Sequence, residues 1–403
     1  MIKETLADLV SIDSVSARSN AEIIEYLEKR CAAMGFVTKR FPYTDEHGLE
    51  KINLVAVTGN DIELALVGHT DTVPYDPNWP EATNLTEREG KLYGRGSCDT
   101  KGFIAAALTA VETIDRSQLK KSIALIFTAD EEIGLLGAKH LAAAKAIHPR
   151  FSIVGEPTSL KPIRAGKGYS LAEVVVKGRE AHSAYPELGA SAIMRAARLI
   201  ARLDAIAAKL KEDKYPAFDP PFTTLNVGLI RGGTAKNILA GECRFTLEWR
   251  PIPTQPSTHV LNLLNAAIAE EQRNDPDFKC EVDATRADSG FDTAPESPLI
   301  SLLEQATGNK SGTVAFGTEA AQMKTLGSES VVIGPGDIRE AHRTGEFVPI
   351  AELEKCAEVL KFAITRLCGW HKRGGIALMR SKEGSSGCTA LISFCFRSSC
   401  RHF

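Results

Sequence analysis

The chain lacks any apolar stretch approaching the ~20 residues needed to cross a bilayer, because its most apolar runs carry charge or end in a turn. No membrane partner is expected. Its amino terminus, Met1 to Leu9, lacks the unbroken apolar core of a secretory signal, since Lys3, Glu4 and Asp8 interrupt it. A soluble, cytoplasmic protein is the expectation. Paired cysteines are missing too: the nine are odd in number and none has CxxC spacing, which argues against a disulfide framework or a zinc ribbon. Neither sign of charge is in excess, with a net of −3, and no basic stripe offers a track for a phosphate backbone. Nucleic acid is therefore not an expected partner. Compositional bias is absent as well, so the 403 residues read as a globular chain of two or three domains at ~150 residues each.

What is present reads first as α/β. An amphipathic helix near Ala21 to Met34 precedes short apolar runs at Leu64–Val67, Ile123–Phe127 and Ile153–Val154, with helical patterns at Phe103–Ile114 and Leu136–Ala146 between them. Continuous apolar runs of this length fit central strands covered on both faces. From about Gly168 the order becomes β-α-β-β-α-β: Leu171–Val176, Ala190–Leu203, Thr223–Leu229, Cys243–Trp249, Val260–Glu271 and Cys280–Ala284. The α/β signals resume at Leu299–Ala306, Val314–Phe316, Val331–Ile333 and Ile350–Leu367. The expected organisation is thus a discontinuous first domain, residues 1–167 and 287–369, interrupted by an inserted α+β module at 168–286. After Gly369 the composition shifts to Lys, Arg, Ser, Gly and Cys without periodicity, and 370–403 is set apart as an extension with no assigned role.

Polar residues follow the central strands, where sites form in open α/β sheets. His69, Asp99, Glu132, Glu156 and His342 are a set of imidazole and carboxylate ligands, each beside a strand end, suited to zinc, cobalt or manganese. In extended backbone, i and i+2 share a side, so the Asp71 carboxylate can reach the second nitrogen of His69 and fix its tautomer. A surface His beside an Asp gives the same tripeptide. Glu131 and Glu132 point oppositely, so one can bind metal while the other faces water as a general base; alone, Asp130-Glu131-Glu132 also fits a solvated acidic loop. Gly94 to Gly102 lacks Walker spacing and carries an acid, Asp99, which suits bridging two cations better than cradling phosphate. Cys98 reads as a packed thiol, with no neighbouring His to complete a dyad.

Five stretches carry a resemblance: Gly68-His69-Thr70-Asp71-Thr72-Val73-Pro74, Gly94 to Gly102, Thr128-Ala129-Asp130-Glu131-Glu132, Gly155-Glu156-Pro157-Thr158 and Ala341-His342. Over residues 1 to about 368 the chain resembles the dizinc amidohydrolase and peptidase family. The resemblance implies a zinc-peptidase-like catalytic domain with a mixed, largely parallel sheet, and two Zn2+ (Co2+ or Mn2+ as substitutes). Asp99 would bridge, His69 and Glu156 would complete one site, and Glu132 and His342 the other, with Glu131 as general base. It also implies a cis peptide from Asp99 to Thr100. The insertion resembles the family's lid or dimerisation domain, which implies a homodimer and an oxyanion donor in His182, a residue that related dimers can supply from the partner subunit. Asn237, in a lid loop, and Arg250, ending a lid strand, are candidate substrate contacts, although a hairpin turn and a structural salt bridge are the respective alternatives. Thr318 and Glu319 lie in a stretch, Phe316 to Ala320, that looks most like members acting on N2-acetyl-L-ornithine; Glu319 could meet an ammonium or cap a helix. The implied partner is a small N-acylated amino acid. Alternatives within the family are a succinylated diamino acid or a broader range of acylated amino acids and dipeptides, and outside it a zinc-stabilised binding protein without activity.

Overall fold

The structure, a computed structural model, describes residues 1–369, and the segment 370–403 lies outside the described residues. A nine-stranded sheet forms the centre, and its middle four strands, Ser122–Thr128, Ile62–His69, Phe151–Val154 and Glu329–Val332, run parallel. Its flanks are mixed. The hairpin Val37–Thr44 and Glu50–Val57 adds antiparallel on one side, while Ile163–Gly166, Phe291–Asp292 and Gly312–Val314 close the other. The α/β expectation of a mixed, largely parallel central sheet therefore holds.

Strand Ile62–His69 is buried at every position. Its alternate residues explain why: Leu64 and Leu66 enter the core under helices Ala21–Ala33, Lys101–Glu112 and Ile350–Cys368, whereas Ala65 and Val67 enter a second core under Leu136–Ala143 and Ala320–Thr325. Two covered faces demand apolar side chains on both, at roughly 1.5–3 kcal/mol for each large one fully buried.

The inserted region forms a separate four-stranded antiparallel sheet in the order Thr224–Gly232, Glu242–Arg250, Tyr169–Lys177, Lys279–Asp288. Helices Ala192–Leu210 and His259–Asn274 pack on one face, where Leu199, Leu203, Val260 and Leu264 meet Val174, Phe245, Leu247 and Trp249. The β-α-β-β-α-β order is as expected. The first of these helices starts at Ala192, not Ala190, because the Ser191 hydroxyl caps it by accepting the Met194 N–H at 3.4 Å.

Several elements had no counterpart in the sequence reading, among them the outer hairpin, a first helix and a small sheet. Helix Ile2–Ser11 buries Leu6, Leu9 and Val10, and the small sheet Thr86–Arg88, Lys91–Tyr93, Phe347–Pro349 ties the end of the chain's last loop to the glycine-rich turn before Asp99. All six cysteines among the described residues are free. No helix among them is long and apolar enough to cross a membrane.

Candidate metal centre and active site

Parallel strands deliver three of the elements that carry the ligand candidates. His69 ends its strand, Glu131 and Glu132 follow Ser122–Thr128, and Glu156 follows Phe151–Val154. Asp99 sits in the turn that opens helix Lys101–Glu112, and the Asp99–Thr100 peptide is cis. Close approach fixes this corner: a Cβ on Gly155 would lie 2.2 Å from the Phe103 ring, and one on Gly334 would lie 2.5 Å from the Glu156 carbonyl oxygen. His342 comes from a distant loop and has φ of 61°.

The central carboxylate is Asp99. His69 Nε2 lies 3.1 Å from its Oδ1, and His342 Nε2 lies 3.1 Å from its Oδ2 and 3.0 Å from Glu132 Oε1. One acid thus offers a separate oxygen to each imidazole. His69, Asp99 and Glu132 each present a ligand atom within 4.8 Å of the others. Glu156 is buried close enough to raise its pKa well above the usual range, through burial first and then the charges of Asp99 and Glu131. Glu131 is likewise pushed well up by burial and by Glu132, Glu319 and Asp99, against the opposing pull of His69. Burial and Asp99 also raise Glu132, with His342 opposing. At His342 the hydrogen bonds to Asp99 and Glu132 win over burial, and its pKa rises to about 10. Several buried acids thus share two imidazoles, a donor set of hard and borderline ligands that divalent cations would neutralise. The residues fit such ions.

Asp71 differs in detail from expectation. The His69 Nδ1 partner is the Asp71 main-chain oxygen at 3.0 Å, with the carboxylate at 3.6 Å. A carbonyl only accepts, so Nδ1 carries a proton, and Nε2, which faces the Asp99 carboxylate, is the nitrogen left to meet a metal ion. The carboxylate is drawn elsewhere: Oδ1 accepts the Glu131 N–H at 3.1 Å, and Oδ2 accepts the Glu132 N–H at 3.3 Å and the Ser16 hydroxyl at 2.7 Å. It holds the loop of the two glutamates. The same loop is gripped from below by Asp130, at φ of 55°, whose carboxylate accepts from buried Lys51 at 2.8 Å and from the Tyr43 hydroxyl at 2.7 Å. Ser16, Lys51 and Tyr43 were not legible as site residues; they lie far upstream, and their only signal is a buried lysine in an otherwise apolar strand.

The remaining candidates divide. Thr318 and Glu319 are buried, and both Glu319 oxygens lack a hydrogen-bonding partner among the described residues. Burial pushes the Glu319 pKa up to about 7, with His69 opposing. Arg250 is held by Glu248 at 2.8 Å and by the Ala315 carbonyl at 3.3 Å, and it stacks on the Tyr169 ring. The salt bridge left open by the sequence is thus present, and the same side chain fastens the inserted sheet to the loop before Thr318. His182 is exposed, and an isolated antiparallel bridge pairs it with Ile238, while the Asn237 carbonyl accepts the Ser183 N–H at 3.0 Å. These two are brought to each other; among the described residues neither bonds to the Asp99 cluster.

A model of peptidase family M20/M25/M40 matches residues 65–366. The chain belongs to that family. All five ligand candidates and Glu131 fall inside the matched span of this M20-family hydrolase. An acetylornithine deacetylase of Myxococcus xanthus is 50% identical over 373 residues, 91% of this chain and 98% of its own. Solved folds agree: a tripeptidase from Staphylococcus aureus subsp. aureus mu50 has a TM-score of 0.72 at 24% identity, over 91% of this chain and 97% of that one. A dinuclear metal-binding M20 peptidase from Bacillus subtilis has a TM-score of 0.64 at 12% identity, over 91% and 97%.

Proposed function

We propose that this chain hydrolyses N2-acetyl-L-ornithine to L-ornithine and acetate. The observation that carries the hydrolytic part is geometric: two imidazoles address separate oxygens of one buried carboxylate, with Glu131 and Glu132 beside them. The acyl group and amine follow from the likeness to the Myxococcus xanthus deacetylase, which spans the whole site. Two zinc ions are our reading, with cobalt or manganese fitting the same donors; Asp99 would be shared, with His69 and Glu156 on one ion and Glu132 and His342 on the other. When bound, such ions polarise the amide carbonyl and acidify water.

The chain's own residues do the rest. Glu131, whose proton affinity is raised by burial and neighbouring acids, takes a proton from water and returns it to the leaving amine. Asp71 holds the Glu131 and Glu132 amides, which keeps both carboxylates aimed. His182 accepts the Ala184 N–H on Nδ1 at 3.1 Å, which leaves its Nε2 to donate to a developing oxyanion. Arg250, Asn237, Thr318 and Glu319 are our substrate contacts, with Arg250 as the partner of the α-carboxylate and Glu319 as the acid nearest a substrate ammonium.

We assign residues 1–167 and 287–369 to catalysis, assign 168–286 to a lid that also joins two copies, and place the enzyme in the cytoplasm. Supporting the pairing, the edge strand Thr224–Gly232 exposes Leu229 and Ile230, and Ile193 and Met194 stand exposed on the helix beside it. Light scattering on the full chain should give twice the chain mass, and Leu229→Glu with Ile230→Lys should give the single mass. A wild-type monomer at micromolar concentration would remove the pairing.

The substrate is tested with zinc-loaded protein and a panel of acetylated, succinylated and dipeptide amides, following released amine. The acetylated diamino acid should lead in kcat/KM by at least about tenfold, the discrimination one or two pocket contacts supply. A lead by succinyl-diaminopimelate or by a dipeptide would replace this substrate, and no turnover on any member would leave a binding protein.

A further inference from the structure

Glu346 is fully buried, and nothing in the chemistry above uses it. Its Oε1 accepts two main-chain N–H groups, from Cys98 at 2.9 Å and from Asp99 at 3.0 Å. Its Oε2 accepts from Arg95 Nη1 at 2.6 Å, and its own carbonyl accepts the Gly94 N–H at 3.1 Å. Arg95 is itself buried, gives its other terminal nitrogen to the Pro74 carbonyl at 3.2 Å, and lies over the Trp79 ring. One side chain therefore grips the glycine-rich turn at several points.

Its place in the chain matters as much as its contacts. Glu346 ends the loop that carries His342, after a turn in which its N–H donates to the Arg343 carbonyl at 3.2 Å and Gly345 takes φ of 83°. Strand Phe347–Pro349 then anchors that loop by pairing with Lys91–Tyr93, directly before the turn of Asp99. The loop of His342 and the turn of Asp99 are thus locked to each other through this carboxylate. A buried ion pair by itself is weak evidence for stability, since apolar residues of similar volume often do as well. Two convergent amide donors on one oxygen, at the residue whose side chain stands between both imidazoles, point to a different task.

We infer that Glu346, held by Arg95, is a positioning residue that sets Asp99 and His342 in register as metal ligands. The inference rests on the metal-centre reading above and is independent of which amide is cleaved. Glu346→Gln keeps an oxygen for the two amides but turns an amide NH2 towards the Arg95 guanidinium, so it loosens the lock without opening a cavity. Zinc affinity of the full chain, measured by competition with a chromophoric chelator, should fall by about 10- to 100-fold, the range typical of groups that orient metal ligands. Arg95→Lys, which keeps the cation and loses the fork, should move affinity in the same direction by a smaller factor and serves if the glutamine variant does not fold.

A merely structural role is separated by Leu360→Ala, a cavity variant in the core helix remote from the turn, expected to lower the Tm while binding zinc as wild type does. Zinc curves for Glu346→Gln and Arg95→Lys that overlay wild type would overturn the inference, as would an equal loss of affinity in Leu360→Ala. Because the readout is metal binding, a wrong substrate is scored separately by the acyl panel and leaves this result intact.

Discussion

Glu131→Gln should lower kcat by about 10²- to 10⁴-fold, the contribution usual for a positioned general base, while two equivalents of metal stay bound. The amide is isosteric and takes no proton at neutral pH. It should keep the main-chain bond from Glu131 to Asp71, because that contact uses the backbone N–H and not the side chain. The loop therefore stays in place and only the proton acceptor is lost. Burial and the neighbouring acids raise the proton affinity of Glu131, whereas its sequence neighbour Glu132 is drawn to His342 at 3.0 Å. The two adjacent glutamates thus sit in different surroundings. KM should change little, since a base acts in the transition state more than in substrate binding. Retention of more than about a tenth of the wild-type kcat would remove Glu131 from the role, and loss of metal would make it a ligand.

The sequence spoke most clearly where one local rule decides the structure. Central strands such as Ile62–His69 show as short apolar runs, here Leu64–Val67, because both faces are covered, and the polar residues that follow mark where the sheet opens to the site. The outer hairpin was silent for the opposite reason. Strand Val37–Thr44 is mostly exposed, carries Pro42 and lacks a buried face to impose alternation. Helix Ile2–Ser11 has no side-chain cap, and its buried positions are interleaved with charges, so neither a start signal nor an unbroken apolar run marks it in the sequence.

Within the site, the candidate residues and their strand-end positions were legible, but the supporting bonds were not. The i, i+2 rule placed the Asp71 carboxylate near His69, yet it could not weigh a main-chain oxygen against the carboxylate, nor see that the Glu131 and Glu132 amides would claim the latter. Glu346 and Cys98 meet across the whole length of the inserted module, and no local pattern pairs them. Arg250 shows a rule succeeding in part: Glu248 lies on the same face of the strand, so their salt bridge is local, whereas the hold on the Ala315 carbonyl is tertiary.

Asp99→Ala and His342→Ala should separate a shared ligand from an unshared one. Each Asp99 oxygen faces a different imidazole, so, with Asp99 bridging as proposed, removing the carboxylate would take a ligand from both ions and leave Glu131, Glu132 and Glu156 to repel one another in a buried space. Metal analysis after gel filtration should then fall from two equivalents to near none. His342 lies at the edge, half exposed, against Glu132 and one Asp99 oxygen only. Its loss should empty that side and leave one equivalent with His69, Asp99 and Glu156. Turnover should fall in both variants, but only His342→Ala should recover part of it at millimolar zinc, because mass action can refill a weakened site but not one stripped of its shared ligand. Two equivalents in His342→Ala at stoichiometric zinc would show that the histidine is no ligand, and one equivalent in Asp99→Ala would show that the carboxylate serves a single ion.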